Sequence, residues 1–341
     1  MALRLPTFLR WPLWVAELAT GAKSFADNPL IGSRRLNSLG LHRLRLRAAA
    51  AMTAWRRRLL ASGVSAEDRA AFGRQGFVQW DEVLPADAFE RMRAGIMERA
   101  WPSRGLEQGH ALTRRIAVDP EMLSAVPELR TLIESRRWRG LMRYVAATRA
   151  EPHYYIQSIF THRVSEERDP QNDVHADTFH TTMKAWLFLT DVALEDGPLS
   201  YVSGSHRLTP ERLAWEDERA LLAPEGLDPL SAKGSMRIDR DELEALGLNQ
   251  PSTFDVPANT LVVADTFGFH ARAIATKPSV RVEVWAYTRR NPFLPWTGIN
   301  IGNLPFLTHR RVALFWRLQD RFPKWLRGST LPTGLRRPGE L

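Results

Sequence analysis

The chain contains no cysteine. Disulfides, thiolate metal sites and a cysteine nucleophile are thereby excluded, and any metal must be held by nitrogen and oxygen. It also lacks a long apolar run: no segment reaches the roughly 18 residues that a membrane-crossing helix needs. The apolar stretch Trp11–Leu18 is short and interrupted by Glu17. No small-residue cleavage site clearly follows it, so no signal peptide is expected and a cytoplasmic chain is. Internal repeats and low-complexity tracts are missing too.

What is present is an ordinary globular composition. Of 341 residues, 44% are hydrophobic and 25% charged, enough for one large domain with extensions or two modest ones. The net charge of +9 is unevenly spread. Residues 1–60 carry eleven Lys/Arg and two acids, and residues 289–341 carry ten Lys/Arg and two acids, which leaves −8 for residues 61–288. Two basic ends bracketing an acidic middle suggest an anionic surface met at one edge of the molecule. Nucleic acid is not expected as a partner. The acidic middle would repel phosphate near a central site, and no recognition helix or zinc finger is legible.

Residues 1–64 read as a basic, mostly helical arm, with Leu41–Leu60 rich in Leu, Ala and Arg, all good helix formers. Ser65 followed by Asp68 looks like a helix start and Gly76 like its end. Phe77–Val83 reads as a strand, and Pro85 opens a helix with Phe89, Met92 and Ile96 on one face. Beyond Tyr154 the period changes. Segments 154–160, 183–190, 260–267 and 280–288 are short and rich in Val, Ile, Leu and aromatics. In the last, Val280, Val282, Val284 and Ala286 alternate with Arg281, Glu283, Trp285 and Tyr287, the pattern of a half-buried strand. The expected fold is mainly β with flanking helices: a jelly-roll, cupin-like core over 65–295. A helix-bearing insertion falls near 208–250, and a basic extension covers 296–341.

The segment Val174–His175–Ala176–Asp177–Thr178 carries the candidate chemistry. On an extended strand, residues two apart share a face, so His175 and Asp177 can present an imidazole and a carboxylate to one ion. His270, after the strand-like Thr260–Phe267, is the best third ligand. Two histidines and one carboxylate leave three coordination positions open, which suits a non-haem Fe(II) oxygenase. His180 and His206 compete less well. His180 is five residues past His175 and would point away on a strand. Arg281 lies eleven residues after His270 with apolar alternate neighbours. A buried cation there needs a partner, either an anionic cosubstrate or Glu283, unless it faces solvent.

The stretch 175–207, with His175 and Asp177, Trp186 and Leu189, Asp196–Gly197–Pro198–Leu199 and Ser203–Gly204–Ser205–His206, resembles the phytanoyl-CoA dioxygenase family. Residues 260–288 resemble its second ligand block, and Gly76–Phe77–Val78 through Pro85 its entry; the likeness spans roughly 65–290. It implies a double-stranded β-helix, iron held by His175, Asp177 and His270, and 2-oxoglutarate and O₂ as cosubstrates. It further implies Arg281 on the far carboxylate of 2-oxoglutarate, with Gln157 and Trp186 lining the cosubstrate pocket. The implied outcome is hydroxylation of a C–H bond with release of succinate and CO₂. Two departures stand out. Ala176 lies where many members have Gln, and His162 and Arg163 lie where many have Lys.

Six of the twelve tryptophans fall in the basic ends: Trp11, Trp14, Trp55, Trp296, Trp316 and Trp325. With Leu5, Phe8, Leu9 and Leu13 near the start, and Phe315, Phe322, Leu326 and Arg327 near the end, they have the composition of an interfacial anchor. This predicts peripheral contact with the inner face of a membrane and a lipid-like or CoA- or carrier-linked substrate. The alternatives are a small soluble metabolite with the ends wrapped on the core, or a non-catalytic cupin-like binding protein. The oligomeric state is not legible.

Overall fold

The computed structural model describes residues 7–161, 169–223, 226–298, 300–304, 306–323, 326 and 328–341. Leu5, His162, Arg163, Trp325 and Arg327 lie outside them, as do the side chains of Phe8 and Leu9. The elements in order are α1 (Thr7–Leu18), α2 (Arg34–Ser38), α3 (Leu41–Leu60), α4 (Ala66–Gln75), β1 (Phe77–Trp80), α5 (Ala86–Met97), β2 (Trp101–Gln108) and β3 (Ala111–Ala117). Then come α6 (Pro120–Ala125), α7 (Pro127–Glu134), α8 (Arg136–Ala146), β4 (His153–Phe160), β5 (Met183–Phe188), β6 (Leu199–Tyr201), α9 (Pro210–Leu222), α10 (Pro229–Ala232) and α11 (Arg240–Ala245). Last are β7 (Ser252–Thr253), β8 (Leu261–Asp265), β9 (His270–Arg272), β10 (Val280–Thr288), α12 (Arg311–Arg321) and β11 (Leu331–Arg336).

The local rules that start and stop these elements are visible. The Ser65 hydroxyl accepts from Asp68 N–H at the start of α4, and Gly76 closes that helix at φ 89°, a conformation that favours glycine. A Cβ on Gly76 would also fall 2.6 Å from the Tyr201 hydroxyl. Thr209 caps α9 through Arg212 N–H, so the insertion is helical from its first turn.

Two antiparallel sheets form the core. The large one runs β1-β8-β5-β10-β4-β3-β2-β11 and the small one β7-β6-β9. Strand β10 lies between β5 and β4, with Arg281 opposite Ile159, and with Glu283 opposite both Gln157 and Phe188. It is not half-buried as its alternation predicts. Val282, Val284 and Ala286 pack with α5 to α8 in one apolar cluster. The other face is covered as well, so Arg281, Glu283 and Trp285 are buried on the inner side of the sheet. Polar alternation here marks a cavity wall, not a solvent face. Phe77, Trp186, Phe188, Leu199, Tyr201, Val262 and Trp285 fill the space between the sheets. This is the jelly-roll core, although the helices around it take a larger share of the chain than the strands.

Strands β2 and β3 have no counterpart in the sequence reading, and they carry β11 on their outer edge. Part of the C-terminal extension is thus built into the main sheet. The N-terminal arm is equally tied in. Phe25 and Ile31 pack with Trp215, Met236 and Ile238 of the insertion. His42 meets Glu216 at 3.1 Å. Arg45 donates to the Leu18, Thr20 and Ala22 carbonyls, and Arg56 to those of Ala147, Pro292 and Leu294.

Arg56 is 2% exposed, so removing it strands three carbonyls. Each buried unpaired polar group costs about 1–3 kcal/mol. Arg56→Met is therefore expected to lower stability by about 2–4 kcal/mol, read as a lower urea midpoint in equilibrium unfolding. An unchanged midpoint would mean the arm is not part of the folded unit.

Candidate metal centre

The site begins with main-chain pairing. His175 N–H donates to His270 O at 2.9 Å, His270 N–H donates back to His175 O at 2.9 Å, and Asp177 N–H donates to Thr266 O at 2.9 Å. The extended chain turns Ala176 into the apolar cluster under the insertion and puts His175 and Asp177 on the opposite side. His270 joins them as a cross-strand neighbour, with the two imidazole centroids 4.6 Å apart. His175 Nε2 is 3.9 Å and His270 Nε2 3.8 Å from Asp177 Oδ1. All three ligand atoms lie within 4.8 Å of one another.

The protonation pattern fits a metal. His175 Nδ1 lies 2.7 Å from Asp173 O and His270 Nδ1 3.0 Å from Gly268 O. A carbonyl only accepts, so each Nδ1 bears the proton and each Nε2 keeps its lone pair. His270 Nε2 is buried with no hydrogen-bond partner, a state that an ion would relieve. Burial holds His175 well below the usual histidine range, with His270 adding to it, and brings His270 to about 4. Both rings are neutral at pH 7, as ligands must be. Burial alone would raise Asp177. Lys184 and then the two histidines override it and hold the carboxyl well below its usual range.

Lys184 Nζ sits 2.7 Å from Asp177 Oδ2, leaving Oδ1 toward the imidazoles. Lys23, from the N-terminal arm, donates to Asp177 O at 2.5 Å, and its burial brings its pKa down to about 8. Neither lysine was found from the sequence. Lys184 carried a signal, since it alternates with Trp186 on β5. Lys23 carried none, because its contact spans 154 residues.

A cavity of about 260 Å³ adjoins the triad, and its walls include Asp177, His270, Gln157, Trp186, Arg281 and Trp285. The structure thus brings all six expected site residues together, with His175 beside His270. Arg281 takes the Glu283 option while still lining the cavity: its Nε is 3.0 Å from Glu283 Oε2, and Nη1 donates to Gly197 O at 2.7 Å. The acidic middle of the chain does not make an acidic site. Arg115, Lys184, Arg272 and Arg281 all line this cavity, so the expected repulsion of anions there is corrected. His180 and His206 stay apart. His180 packs on Phe179 and His206 on Phe72, and neither joins the cluster that could hold an ion.

Residues 72–229 match the family model described as phytanoyl-CoA dioxygenase. That segment resembles the family, and with the His175–Asp177–His270 triad the chain is a non-haem iron, 2-oxoglutarate-dependent oxygenase. Comparison with curated proteins gives no match. Among solved structures, the oxygenase is similar to the α-ketoglutarate-dependent epimerase SnoN from nogalamycin biosynthesis, at 19% identity over 65% of this chain and 81% of that one, with TM-score 0.42. It is also similar to the carbocyclase SnoK from the same biosynthesis, at 20% identity over 67% and 83%, TM-score 0.39. A third is HygX from Streptomyces hygroscopicus, with nickel, 2-oxoglutarate and hygromycin B bound, at 16% identity over 72% and 94%, TM-score 0.40.

When bound, iron with 2-oxoglutarate supplies the activation of O₂. The protein's own part is to keep both Nε2 lone pairs free, to hold Asp177 ionised, and to close the outer side of that carboxylate with Lys184. His270→Ala is expected to abolish stoichiometric Fe(II) binding in anaerobic equilibrium dialysis. Lys184→Met should weaken it about 10–100-fold, the usual effect of losing a group that orients a ligand. Undiminished binding in both would remove the triad as the metal site.

Proposed function

We propose that the oxygenase hydroxylates an aliphatic C–H bond of a lipid-like or long-chain substrate, carried free or as a CoA or carrier thioester, with release of succinate and CO₂. The observation that carries the hydroxylation reading is Asp177, held on its outer oxygen by Lys184 and facing both imidazoles. A carboxylate as third ligand leaves three positions, enough for a bidentate keto acid and O₂. In this reading Arg281 holds the far carboxylate of 2-oxoglutarate as a charge-assisted pair, and Gln157 and Trp186 form the walls beside it.

Support for a lipid-like substrate comes from the surface. Trp11, Leu13 and Val15 on α1 are exposed, and so are Leu314, Phe315, Leu318 and Phe322 on and just after α12. Exposed Arg10, Arg310, Arg317 and Arg321 lie beside them in the chain. Apolar side chains interleaved with cations suit an anionic bilayer surface. No described helix is long and apolar enough to cross a membrane. A second reading, a small soluble metabolite, is favoured by the cavity, whose roughly 260 Å³ falls below the common range of about 300–1,000 Å³ for ligand sites.

Anaerobic addition of Fe(II) and 2-oxoglutarate should give the visible charge-transfer band of the chelate, lost in His175→Ala and requiring at least about tenfold more 2-oxoglutarate in Arg281→Ala. A folded, iron-loaded protein without the band would leave a cupin-like binding protein. Flotation with anionic vesicles at low salt decides the substrate side: binding lost in Phe315→Ser/Leu318→Ser supports the lipid reading, and no flotation of the wild type favours the soluble metabolite.

A further inference from the structure

The inference rests on the oxygenase reading and narrows its substrate. Four cations line the cavity beside the triad. Three of them face a carboxylate. Lys184 meets Asp177 at 2.7 Å, Arg272 meets Asp169 at 2.5 Å, and Arg281 meets Glu283 at 3.0 Å. Arg115 has no carboxylate partner among the described residues. Its Nε donates to Gln157 Oε1 at 2.9 Å, and Gln157 Nε2 donates onward to Glu283 Oε1 at 2.7 Å. The amide therefore stands between this guanidinium and the nearest buried acid in its row.

The guanidinium is also fixed in orientation. Its carbon lies 4.4 Å from the Trp285 ring centroid and 5.6 Å from that of Tyr155. With Nε committed to Gln157, Nη1 and Nη2 make no hydrogen bond to any described residue. Register places the seat. Arg115 is opposite Gln157 on β4, and Gln157 is opposite Glu283 on β10, so the three side chains form a row across the sheet. Arg281 is two residues further along β10 and already serves the cosubstrate in the reading above. Burial lowers the Arg115 pKa, and Tyr155 and Glu283 oppose that shift without cancelling it. A planar guanidinium braced on aromatic faces, with two free donor nitrogens, is matched to a carboxylate.

We propose that Arg115 seats an acidic group of the substrate, a carboxylate distinct from that of 2-oxoglutarate, so that the oxygenase acts on an organic acid anchored at the β3 side of the cavity. Two carboxylates compete for this role: one on the substrate, and the far carboxylate of the cosubstrate itself.

The test uses the full chain, loaded anaerobically with Fe(II) and saturating 2-oxoglutarate, and titrated in a calorimeter with hexanoate and with hexan-1-ol. Hexanoate should bind at least about tenfold more tightly than the alcohol, since a hydrogen bond to a charged group is worth that much or more. Arg115→Gln should erase that preference while the 2-oxoglutarate titration of the charge-transfer band stays within about twofold of wild type. Arg115→Lys should recover part of it. If Arg115→Gln instead weakens 2-oxoglutarate tenfold and leaves hexanoate alone, the seat belongs to the cosubstrate and the proposal is overturned. Equal binding of acid and alcohol, or no hexanoate binding to protein with a normal chelate band, also overturns it. Absence of the band in wild type would sink the oxygenase reading instead, and hexanoate titration of the metal-free chain would still decide the role of Arg115.

Discussion

Two main-chain hydrogen bonds, exchanged between His175 and His270, set the geometry on which everything else rests. They join segments 95 positions apart into one narrow antiparallel contact. Once that contact forms, the alternation of an extended chain does the remaining work: it places both imidazoles and the Asp177 carboxylate on one side and Ala176 on the other. The backbone carbonyls of Asp173 and Gly268 then choose the tautomer of each ring. None of the three triad residues has a positive φ.

Electrostatics divides the cavity into pairs. A buried charge without a counter-charge is costly, and this interior meets that constraint by matching Lys184, Arg272 and Arg281 each to a carboxylate. The glutamine at 157 is the exception that gives the arrangement its direction. As a neutral relay between Arg115 and Glu283, it lets one acid orient two cations without fully neutralising both. The positive balance is thus local to the cavity, even though residues 61–288 are acidic as a stretch. Chain-averaged charge missed the cavity lining.

The triad was legible because its signal is local: two residues two apart on one extended segment, and a histidine after an apolar run. The helix over Leu41–Leu60, the cap at Ser65 and the strand read over 154–160 were legible for the same reason, since propensity and periodicity act over a few residues. Arg281 was legible only in part. Its spacing from His270 and its apolar neighbours marked it as a cation in need of a partner, but β10 was read as half-buried, whereas both of its faces are covered. Period two cannot tell an aqueous exterior from a polar interior. Strands β2 and β3 escaped because Trp101–Gln108 holds Pro102 and Gly105, both poor strand signals, and its place is fixed by pairing with β3 and β11. Lys23, Arg115 and Arg272 came from contacts of long sequence separation, which no window reveals.

The clasp made by Arg56 has a consequence for how the chain is born. Its partners at 292 and 294 lie 236 and 238 residues downstream. At about 5–20 residues per second, the ribosome delivers them roughly 12–50 s after α3 has emerged. Through that interval the helix carries an arginine with only one of its three carbonyl partners, that of Ala147, already made. The clasp on α3 therefore closes only after residues 292 and 294 have been made, well after the helix that carries it.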